Sequence, residues 1–196
     1  MSSATAHPAQ FESSSGVSHA KLGVWLFLAS EIMLFATLFT SYIVLRTASS
    51  AWPRGWEHLN VPLAMTNTFV LITSSVTMVL AYAKTVERDA AAFRKWMAVT
   101  IGLAILFLVF KSFEYGAHFQ HHQYPSTSVF NAIYFTMTGL HCLHVIGGIV
   151  VLAGLHYMSY DGFEHPLFLG RIEGVGLYWH FVDVVWIFLF PAIYLL

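Results

Sequence analysis

The sequence predicts an all-α integral membrane protein, a bundle of five transmembrane helices that occupies residues 21–196. Two observations predict this fold: the composition of the chain, and five long apolar stretches separated by turn residues. Hydrophobic residues make up 57% of the 196 residues and charged residues only 10%, whereas soluble domains carry about 25% charged residues. A surface this apolar is stable against the hydrocarbon of a bilayer rather than against water.

Each of the five apolar stretches is long enough to cross a hydrocarbon core that requires about 20 residues. They run from about Leu22 to Leu45, Val61 to Ala83, Phe93 to His118, Val129 to Tyr157 and Gly174 to Leu196. Proline and glycine mark the connections, as in the segment Trp52-Pro53-Arg54-Gly55 after the first stretch. None of the stretches alternates polar and apolar residues as a barrel strand does, so helices are the expected spanning elements.

The first 20 residues precede the bundle and differ from it in composition. They are rich in Ser, Ala and His and contain neither Lys nor Arg. A secretory signal combines a basic segment with an apolar core, and this segment has neither. Residues 1–20 are therefore predicted to form a short disordered tail.

Lysine and arginine are distributed unevenly between the two ends of the predicted helices. Six fall on the side of the N-terminus, namely Lys21, Lys84, Arg88, Arg94, Lys95 and Arg171. The other three are Arg46, Arg54 and Lys111. Because positively charged loops stay on the cytoplasmic side of a bacterial membrane, this distribution predicts that the N-terminus lies inside and the C-terminus outside.

Charge and cysteine content exclude several classes of function. The formal net charge of −1 argues against nucleic-acid binding, which requires a basic face. Cys142 is the only cysteine, so the chain alone can form neither an intrachain disulfide nor a thiolate cluster for zinc or iron–sulfur. The sequence also lacks a glycine-rich phosphate loop, a serine nucleophile elbow and an HExxH zinc motif.

Ionisable residues inside the predicted helices are the candidates for function, because placing them in a bilayer costs a few kcal/mol or more. Glu31 and Asp183 each lie roughly 13 Å from the inner end of their helix at about 1.5 Å per residue. His141 and His144 are three residues apart and share a face of the fourth helix at similar depth. The predicted polar layer comprises Glu31, His141, His144, His180 and Asp183.

Two interpretations of the polar layer stay open from the sequence. In the first, the side chains form hydrogen bonds between helices, each contributing about 0.6 kcal/mol to bundle stability. In the second, a carboxyl exchanges protons, and Glu31 is the candidate because its neighbours along the chain are apolar. Binding of haem by His144 and His180, or of a metal by the fourth-helix histidines, is disfavoured, because no thiolate or carboxylate cluster accompanies them. No metal site is expected in this chain.

Three further groups of residues carry predictions. Lys111 and Glu114 are spaced for an i, i+3 ion pair near the outer interface, with the lysine ammonium extending toward water. Three histidines are expected to lie in a solvated loop rather than to bind a metal: His118, His121 and His122. Three glycines predict close packing of the fourth helix: Gly139, Gly147 and Gly148.

Motifs in all five predicted helices resemble subunit III of cytochrome c oxidase. The segment Tyr178-Trp179-His180-Phe181-Val182-Asp183-Val184-Val185-Trp186 matches the C-terminal signature of that family. Thr138-Gly139-Leu140-His141-Cys142-Leu143-His144-Val145 resembles its TGxHGxHV motif, and Ser30-Glu31 resembles its intramembrane Ser-Glu. In the second helix, Thr66-Asn67-Thr68 and Thr73-Ser74-Ser75 are similar to two further family segments.

Glu114-Tyr115 and Glu173 also match family positions, and the resemblance extends over about residues 20–196. By this resemblance, five residues are expected to serve packing within the family's fold: Asn67, Glu114, Glu173, Trp179 and Trp186. Glu31 corresponds to the family's buried reactive glutamate.

The resemblance implies a non-catalytic subunit of a proton-pumping haem–copper oxidase in aerobic respiratory electron transport. The enzyme would be a cytochrome c oxidase whose redox chemistry, haems and copper lie in partner subunits, so this chain would bind none of these cofactors itself. Subunit I would be its main contact, and other subunits of the oxidase or of a supercomplex would be further partners. Expected roles are support of the stability and proton uptake of subunit I, with bound phospholipid, in the inner (plasma) membrane of a bacterial cell.

Departures from the family pattern leave alternatives. The common form has seven helices, so the resemblance is to the short five-helix bacterial form. Lys111 stands where Gln is usual, Cys142 where Gly is usual, and residues 156–160 lack the basic side chains that would hold a lipid phosphate. The alternatives are subunit III of a quinol oxidase, an accessory protein of a nitric oxide reductase or, from a different class, a small membrane transporter. A transporter would be expected to have broken helices or an inverted repeat, and the sequence has neither.

Overall fold

The computed structural model describes residues 19–50 and 52–196, and every regular element in these ranges is a helix. The elements are α1 (His19–Ala48), α2 (Gly55–His58), α3 (Val61–Val86), α4 (Ala90–Gln120), α5 (Val129–Met158), α6 (Phe168–Phe190) and a π-helical segment (Pro191–Leu195). Five of them, α1 and α3–α6, are long and apolar enough to cross a membrane, which confirms the predicted fold. Of the predicted disordered tail, residues 1–18 lie outside the described residues, and residues 19 and 20 begin α1.

Side-chain caps define where three of the long helices begin. Asn60 accepts a hydrogen bond from the backbone N–H of Leu63 at 3.1 Å, and Asp89 accepts one from Ala92 at 2.9 Å. Ser128 caps α5 in the same way. Each side-chain oxygen satisfies an N–H that has no partner within the helix.

The last membrane-spanning helix starts earlier than predicted and ends in a wider turn. It begins at Phe168 rather than near Gly174, because Phe168 and Ile172 are buried in the core of the bundle. After Phe190 the chain continues as the π-helical segment, in which Ile193 and Tyr194 are also buried.

Helix α6 holds the bundle together, since it contacts α1, α3 and α5. Two fully buried indoles fix its position against α3: Trp179 donates to the Ser74 hydroxyl at 3.2 Å, and Trp186 donates to the Thr68 hydroxyl at 2.9 Å. Lipid tails are as apolar as leucine, so packing and interhelical hydrogen bonds of this kind drive association within a membrane.

The packing of α5 on α6 depends on one glycine. A Cβ atom added at Gly148 would lie 2.6 Å from the ring of Trp179, closer than atoms can pack. Added Cβ atoms at Gly147 and Gly139 would come no closer than 3.7 Å and 3.9 Å to a tyrosine hydroxyl. The predicted close packing is therefore confirmed at Gly148, where a side chain would push the two helices apart.

Helix α1 lies at the edge of the bundle and packs on α6 and α5. Its far end holds the C-terminal residues: the Tyr42 hydroxyl donates to the backbone oxygen of Ala192, and Arg46 donates to that of Leu196 at 2.8 Å. Gly55 of α2 lies so close to the backbone oxygen of Ile193 that a Cβ atom would not fit. The π-helical segment is thus fixed from two sides.

Candidate functional site

The carboxyl group of Glu31 on α1 and the imidazole of His144 on α5 form a hydrogen-bonded pair. The distance from Glu31 Oε2 to His144 Nε2 is 2.7 Å, and both side chains are 15% exposed. The other ring nitrogen, Nδ1, lies 2.8 Å from the backbone oxygen of Leu140. A carbonyl oxygen can only accept, so Nδ1 carries a hydrogen. The bond to Glu31 then holds one proton, on either the carboxyl or Nε2, and the pair is neutral in both arrangements.

Aromatic side chains surround this pair. The ring of Phe35 meets the His144 ring edge-on at 5.1 Å between centroids, and the Tyr178 hydroxyl donates to the backbone oxygen of His144 at 2.9 Å. Because few polar groups compete for it, a hydrogen bond in such surroundings is stronger than one in water. The sequence predicted Glu31 and His144 in one layer, and the structure brings them into direct contact.

His180 of α6 pairs with a different helix. Its Nδ1 lies 2.6 Å from the Ser75 hydroxyl on α3, a residue that the sequence placed only in a family motif. Asp183, one turn further along α6, is 4% exposed. Within the described part of the chain neither of its carboxyl oxygens has a hydrogen-bond partner, although the Ser75 hydroxyl is a polar neighbour.

His141 is fully buried between aromatic rings. Its ring centroid lies 5.7 Å from that of Phe107 and 5.0 Å from that of Trp186. Neither ring nitrogen has a hydrogen-bond partner among the residues that the structure describes. The polar layer is therefore not one network: it consists of the Glu31–His144 pair, of His180 bonded outside the layer, and of two unpartnered side chains. The described ranges contain no group of three His, Cys, Asp or Glu side chains placed to hold a metal ion.

A second polar group, here called the lysine cluster, is formed by Lys111, Glu114, Tyr134 and Tyr194. The Lys111 ammonium donates to Glu114 Oε2 at 3.0 Å and to the Tyr194 hydroxyl. The hydroxyls of Tyr134 and Tyr194 donate to Glu114 Oε1 at 2.8 and 2.5 Å. Lys111 is 2% exposed and Glu114 4%, so the cluster is closed to its surroundings.

Aromatic rings enclose the ammonium group of Lys111. Four ring centroids lie 4.9 to 5.7 Å from Nζ, those of Tyr115, Tyr134, Trp186 and Tyr194. Such rings attract a cation through their electron-rich faces. The predicted ion pair is confirmed, but the prediction that Lys111 extends to water was wrong, because Glu114 and Tyr194 supply partners inside the bundle. No spacing signal in the sequence connects Tyr134 and Tyr194 to this pair.

The histidines after α4 do not share one environment. His118 is 8% exposed, bonds through Nδ1 to Gln123 Oε1 at 2.5 Å and packs against Tyr134. The prediction of a solvated loop was wrong for this residue, because Gln123 folds back over the helix end. His121 and His122 are exposed, as predicted.

The remaining family-motif residues occupy packing or interface positions. Asn67 is 1% exposed and donates to the backbone oxygen of Phe107 at 3.4 Å. Glu173 forms an exposed ion pair with Lys21 at 3.0 Å, which joins the first turn of α1 to the second turn of α6. Trp179 and Trp186 are the indoles that fix α6 against α3.

A cleft of about 800 Å³ lies between α1, α5 and α6, at the end of the bundle where α1 begins. Apolar side chains such as Trp25, Phe27 and Val151 line much of it. The charged residues of its lining are Lys21, Arg171 and Glu173. At the same end of α5, the guanidinium of Arg94 donates to the backbone oxygen of Ser159 at 3.1 Å. A basic residue therefore reaches the end of α5 from α4, where the sequence around residues 156–160 has none.

Known proteins are similar in sequence to this chain over nearly its whole length. The family model described as Cytochrome c oxidase subunit III matches residues 9–196. Cytochrome c oxidase subunit 3 of Corynebacterium diphtheriae is 37% identical over 180 residues, which cover 88% of this chain and 86% of the relative. The protein of the same name from Synechocystis is 36% identical over 89% of this chain and 74% of the relative. Cytochrome bo(3) ubiquinol oxidase subunit 3 of Pseudomonas putida is 32% identical over 89% of this chain and 84% of the relative.

Proposed function

This chain belongs to the cytochrome c oxidase subunit III family, and on this premise we propose that it packs against subunit I and supports its proton uptake and stability. The family is accessory rather than catalytic, so the chain is a subunit of an enzyme complex whose redox chemistry lies elsewhere. Its five spanning helices make it a multi-pass membrane protein. This membership speaks against the transporter hypothesis.

The Glu31–His144 pair carries the proposal of a proton role. It places one shared proton among apolar helices, and both side chains keep 15% exposure, so the proton can exchange with a neighbouring group. An ionisable pair within a membrane is expensive to maintain. The same bond also joins α1 to α5, and on average such bonds contribute only about 0.6 kcal/mol, which is small beside the cost of burying the two groups.

Cytochrome c is the proposed electron donor of the complex, and quinol is the alternative. The relatives from Corynebacterium diphtheriae and Synechocystis, at 37% and 36% identity, are named as cytochrome c oxidase subunits. The relative from Pseudomonas putida, at 32% identity, is named as a ubiquinol oxidase subunit. Further relatives named as cytochrome c oxidase subunits are 31% identical, so the proposal of cytochrome c rests on the name that these relatives share rather than on the identity values.

We further propose a location in the inner (plasma) membrane of a bacterium, with the N-terminus of the chain inside. The bacterial relatives and the uneven distribution of lysine and arginine support this arrangement. In this orientation the cleft between α1, α5 and α6 opens near the cytoplasmic face. Its apolar lining and the charge of Arg171 suit a phospholipid, with the acyl chain in the cleft and the phosphate near Arg171, while Lys21 is paired with Glu173 in the same lining.

The proposed function is tested by adding an affinity tag to the chain in its native membrane and extracting it with a mild detergent. The visible spectrum of the purified material and its oxygen uptake with cytochrome c and with quinol are then measured. Haem bands, with oxygen consumption driven by cytochrome c, are expected. Oxygen consumption driven by quinol but not by cytochrome c would show that quinol is the electron donor. A colourless, inactive preparation in two different detergents would contradict the assignment to an oxidase.

A further inference from the structure

His180 presents a polar atom on the outer surface of the bundle at half depth. It lies near the middle of the 28-residue span that runs from Phe168 to Leu195. The Ser75 hydroxyl fixes its Nδ1. The second ring nitrogen, Nε2, is neither among the buried atoms nor hydrogen-bonded to any described residue. Leu177 and Val184, which flank it on the same face of α6, are 37% and 47% exposed.

Several exposed hydroxyls elsewhere on the helices have a hydrogen-bond partner, because each donates to a backbone oxygen of its own helix. Thr40 donates to the backbone oxygen of Ala36, Thr73 to that of Phe69, and Ser112 to that of Leu108, each one turn back at 2.7 to 2.8 Å. The Nε2 atom of a histidine points away from its own backbone and cannot form this bond. Hydrocarbon offers no hydrogen-bond partner, so a polar atom that stays unsatisfied there is unfavourable.

The surface beside His180 is concave. A groove of about 150 Å³ runs between α3 and α6 next to the imidazole, with Met78 and Tyr82 on one wall and Gly176 and Leu177 on the other. At Gly176 the two walls come close, since an added Cβ atom would lie 3.4 Å from the Met78 side chain, and small residues at such positions let helices approach closely. Polar side chains that hydrogen-bond between helices and small residues at the contact are both features of transmembrane helix interfaces.

We propose that the α3–α6 face around His180 seats a transmembrane helix of another oxidase subunit. That helix places a hydrogen-bonding side chain opposite Nε2 and an apolar side chain in the groove. Lipid headgroups lie at the interfaces and cannot reach half depth, so a protein helix is the occupant that satisfies Nε2. The inference rests on the proposed function and adds the surface through which the chain joins the complex.

The test uses the tagged full-length chain in its native membrane, with a benzophenone amino acid at Val184. Val109 on α4, 41% exposed against 47% for Val184, is the matched control. After irradiation, the Val184 position is expected to form an adduct with another subunit of the oxidase, and the Val109 position an adduct with lipid. Adducts of Val184 with lipid alone, or with a second copy of this chain, would overturn the proposed interface. If no haem is purified with the tagged chain, the assignment to an oxidase fails. Haem recovery therefore tests the proposed function, and the adducts of Val184 test the proposed interface.

Substitution of His180 provides a second measurement. His180→Leu removes the hydrogen bond, and His180→Gln retains a donor and an acceptor. Loss of one interhelical bond should raise the fraction of the chain that dissociates in mild detergent by about threefold. His180→Gln should restore most of the retention. Retention of His180→Leu equal to that of the unaltered chain would overturn the role of His180.

Discussion

The lysine cluster and the polar layer both place ionisable groups within the membrane, but they treat those groups in opposite ways. In the lysine cluster, Lys111 and Glu114 have their hydrogen-bond partners inside the bundle and are almost completely buried. In the polar layer, Asp183 and His141 have no hydrogen-bond partner among the described residues. Two further residues of the layer, Glu31 and His180, keep part of their surface exposed.

This difference indicates that the lysine cluster and the polar layer have different roles. A closed cluster can only stabilise the fold, since nothing outside the chain reaches it. The partly exposed groups of the layer, Glu31 and His180, are unfavourable against lipid in an isolated chain and become favourable when a neighbouring subunit contacts them. For a subunit of a larger complex, the lysine cluster is therefore expected to determine stability, and the polar layer to determine contacts and proton handling.

The largest effect is expected from breaking the lysine cluster. Glu114→Leu leaves the Lys111 ammonium buried without its counter-charge, and removing one partner of a buried ion pair destabilises proteins by about 3–5 kcal/mol. The variant should unfold at a much lower temperature in detergent and assemble poorly into the oxidase. Thermal unfolding and the yield of tagged complex measure these effects.

A double variant provides the control. Lys111→Met combined with Glu114→Leu removes both charges at once, and exchanging a buried ion pair for apolar residues of similar size is often neutral or stabilising. Most of the lost stability should return. A double variant as unstable as Glu114→Leu would contradict the ion-pair explanation and assign the loss to the tyrosine hydroxyls.

The next largest effect concerns the packing that positions both regions against α6. Gly148→Ala would place a methyl group 2.6 Å from the Trp179 ring, and overpacking of this kind typically destabilises by about 1–3 kcal/mol. Gly154→Ala on the same helix is the matched control, since an added Cβ atom there meets nothing within 4 Å. It should be neutral or stabilising by up to about 1 kcal/mol. Equal unfolding temperatures for the two variants would show that α5 and α6 can separate without cost.

A smaller effect on stability, and a larger one on function, is expected at the Glu31–His144 pair. Glu31→Gln retains the shape but cannot share a proton with His144. A double-mutant cycle with His144→Phe should yield a coupling energy of about 0.6 kcal/mol, within a measured range that reaches about 1.7 kcal/mol. Assembly should survive, while oxygen turnover falls or the enzyme inactivates faster. Unchanged oxygen turnover and unchanged lifetime of the Glu31→Gln enzyme would mean that Glu31 serves only as a hydrogen-bond partner between helices.

The sequence was sufficient for the elements that depend on local pattern. Length and hydropathy predicted the five spanning helices, and i, i+3 spacing predicted the Lys111–Glu114 pair. Residue counting also placed Glu31 at the level of His144. Each of these inferences uses neighbours along one helix or height along its axis, and both quantities follow from about 1.5 Å rise and 3.6 residues per turn.

What the sequence could not supply is the direction in which each side chain points. His141 and His144 are three apart and lie about 60° apart around α5 at 3.6 residues per turn. That angle is enough for His144 to reach Glu31 on α1, while His141 turns toward Phe107 and Trp186. Likewise Tyr194 reaches Lys111 only because the chain forms a π-helical turn after Phe190. Such contacts between side chains of different helices depend on how each helix is rotated about its axis. Residue spacing along one chain does not determine that rotation.

The smallest effect is expected at His141, the most buried member of the polar layer. Its imidazole lies between two aromatic rings, with no hydrogen-bond partner for either nitrogen in the described part of the chain. Removing an unsatisfied polar group from apolar surroundings is neutral or favourable, so His141→Phe should change stability by no more than about 1 kcal/mol. Thermal unfolding of the isolated chain and of the complex measures this. A loss of about 2 kcal/mol or more in either form would contradict this expectation and show that the imidazole itself contributes to the packing between Phe107 and Trp186.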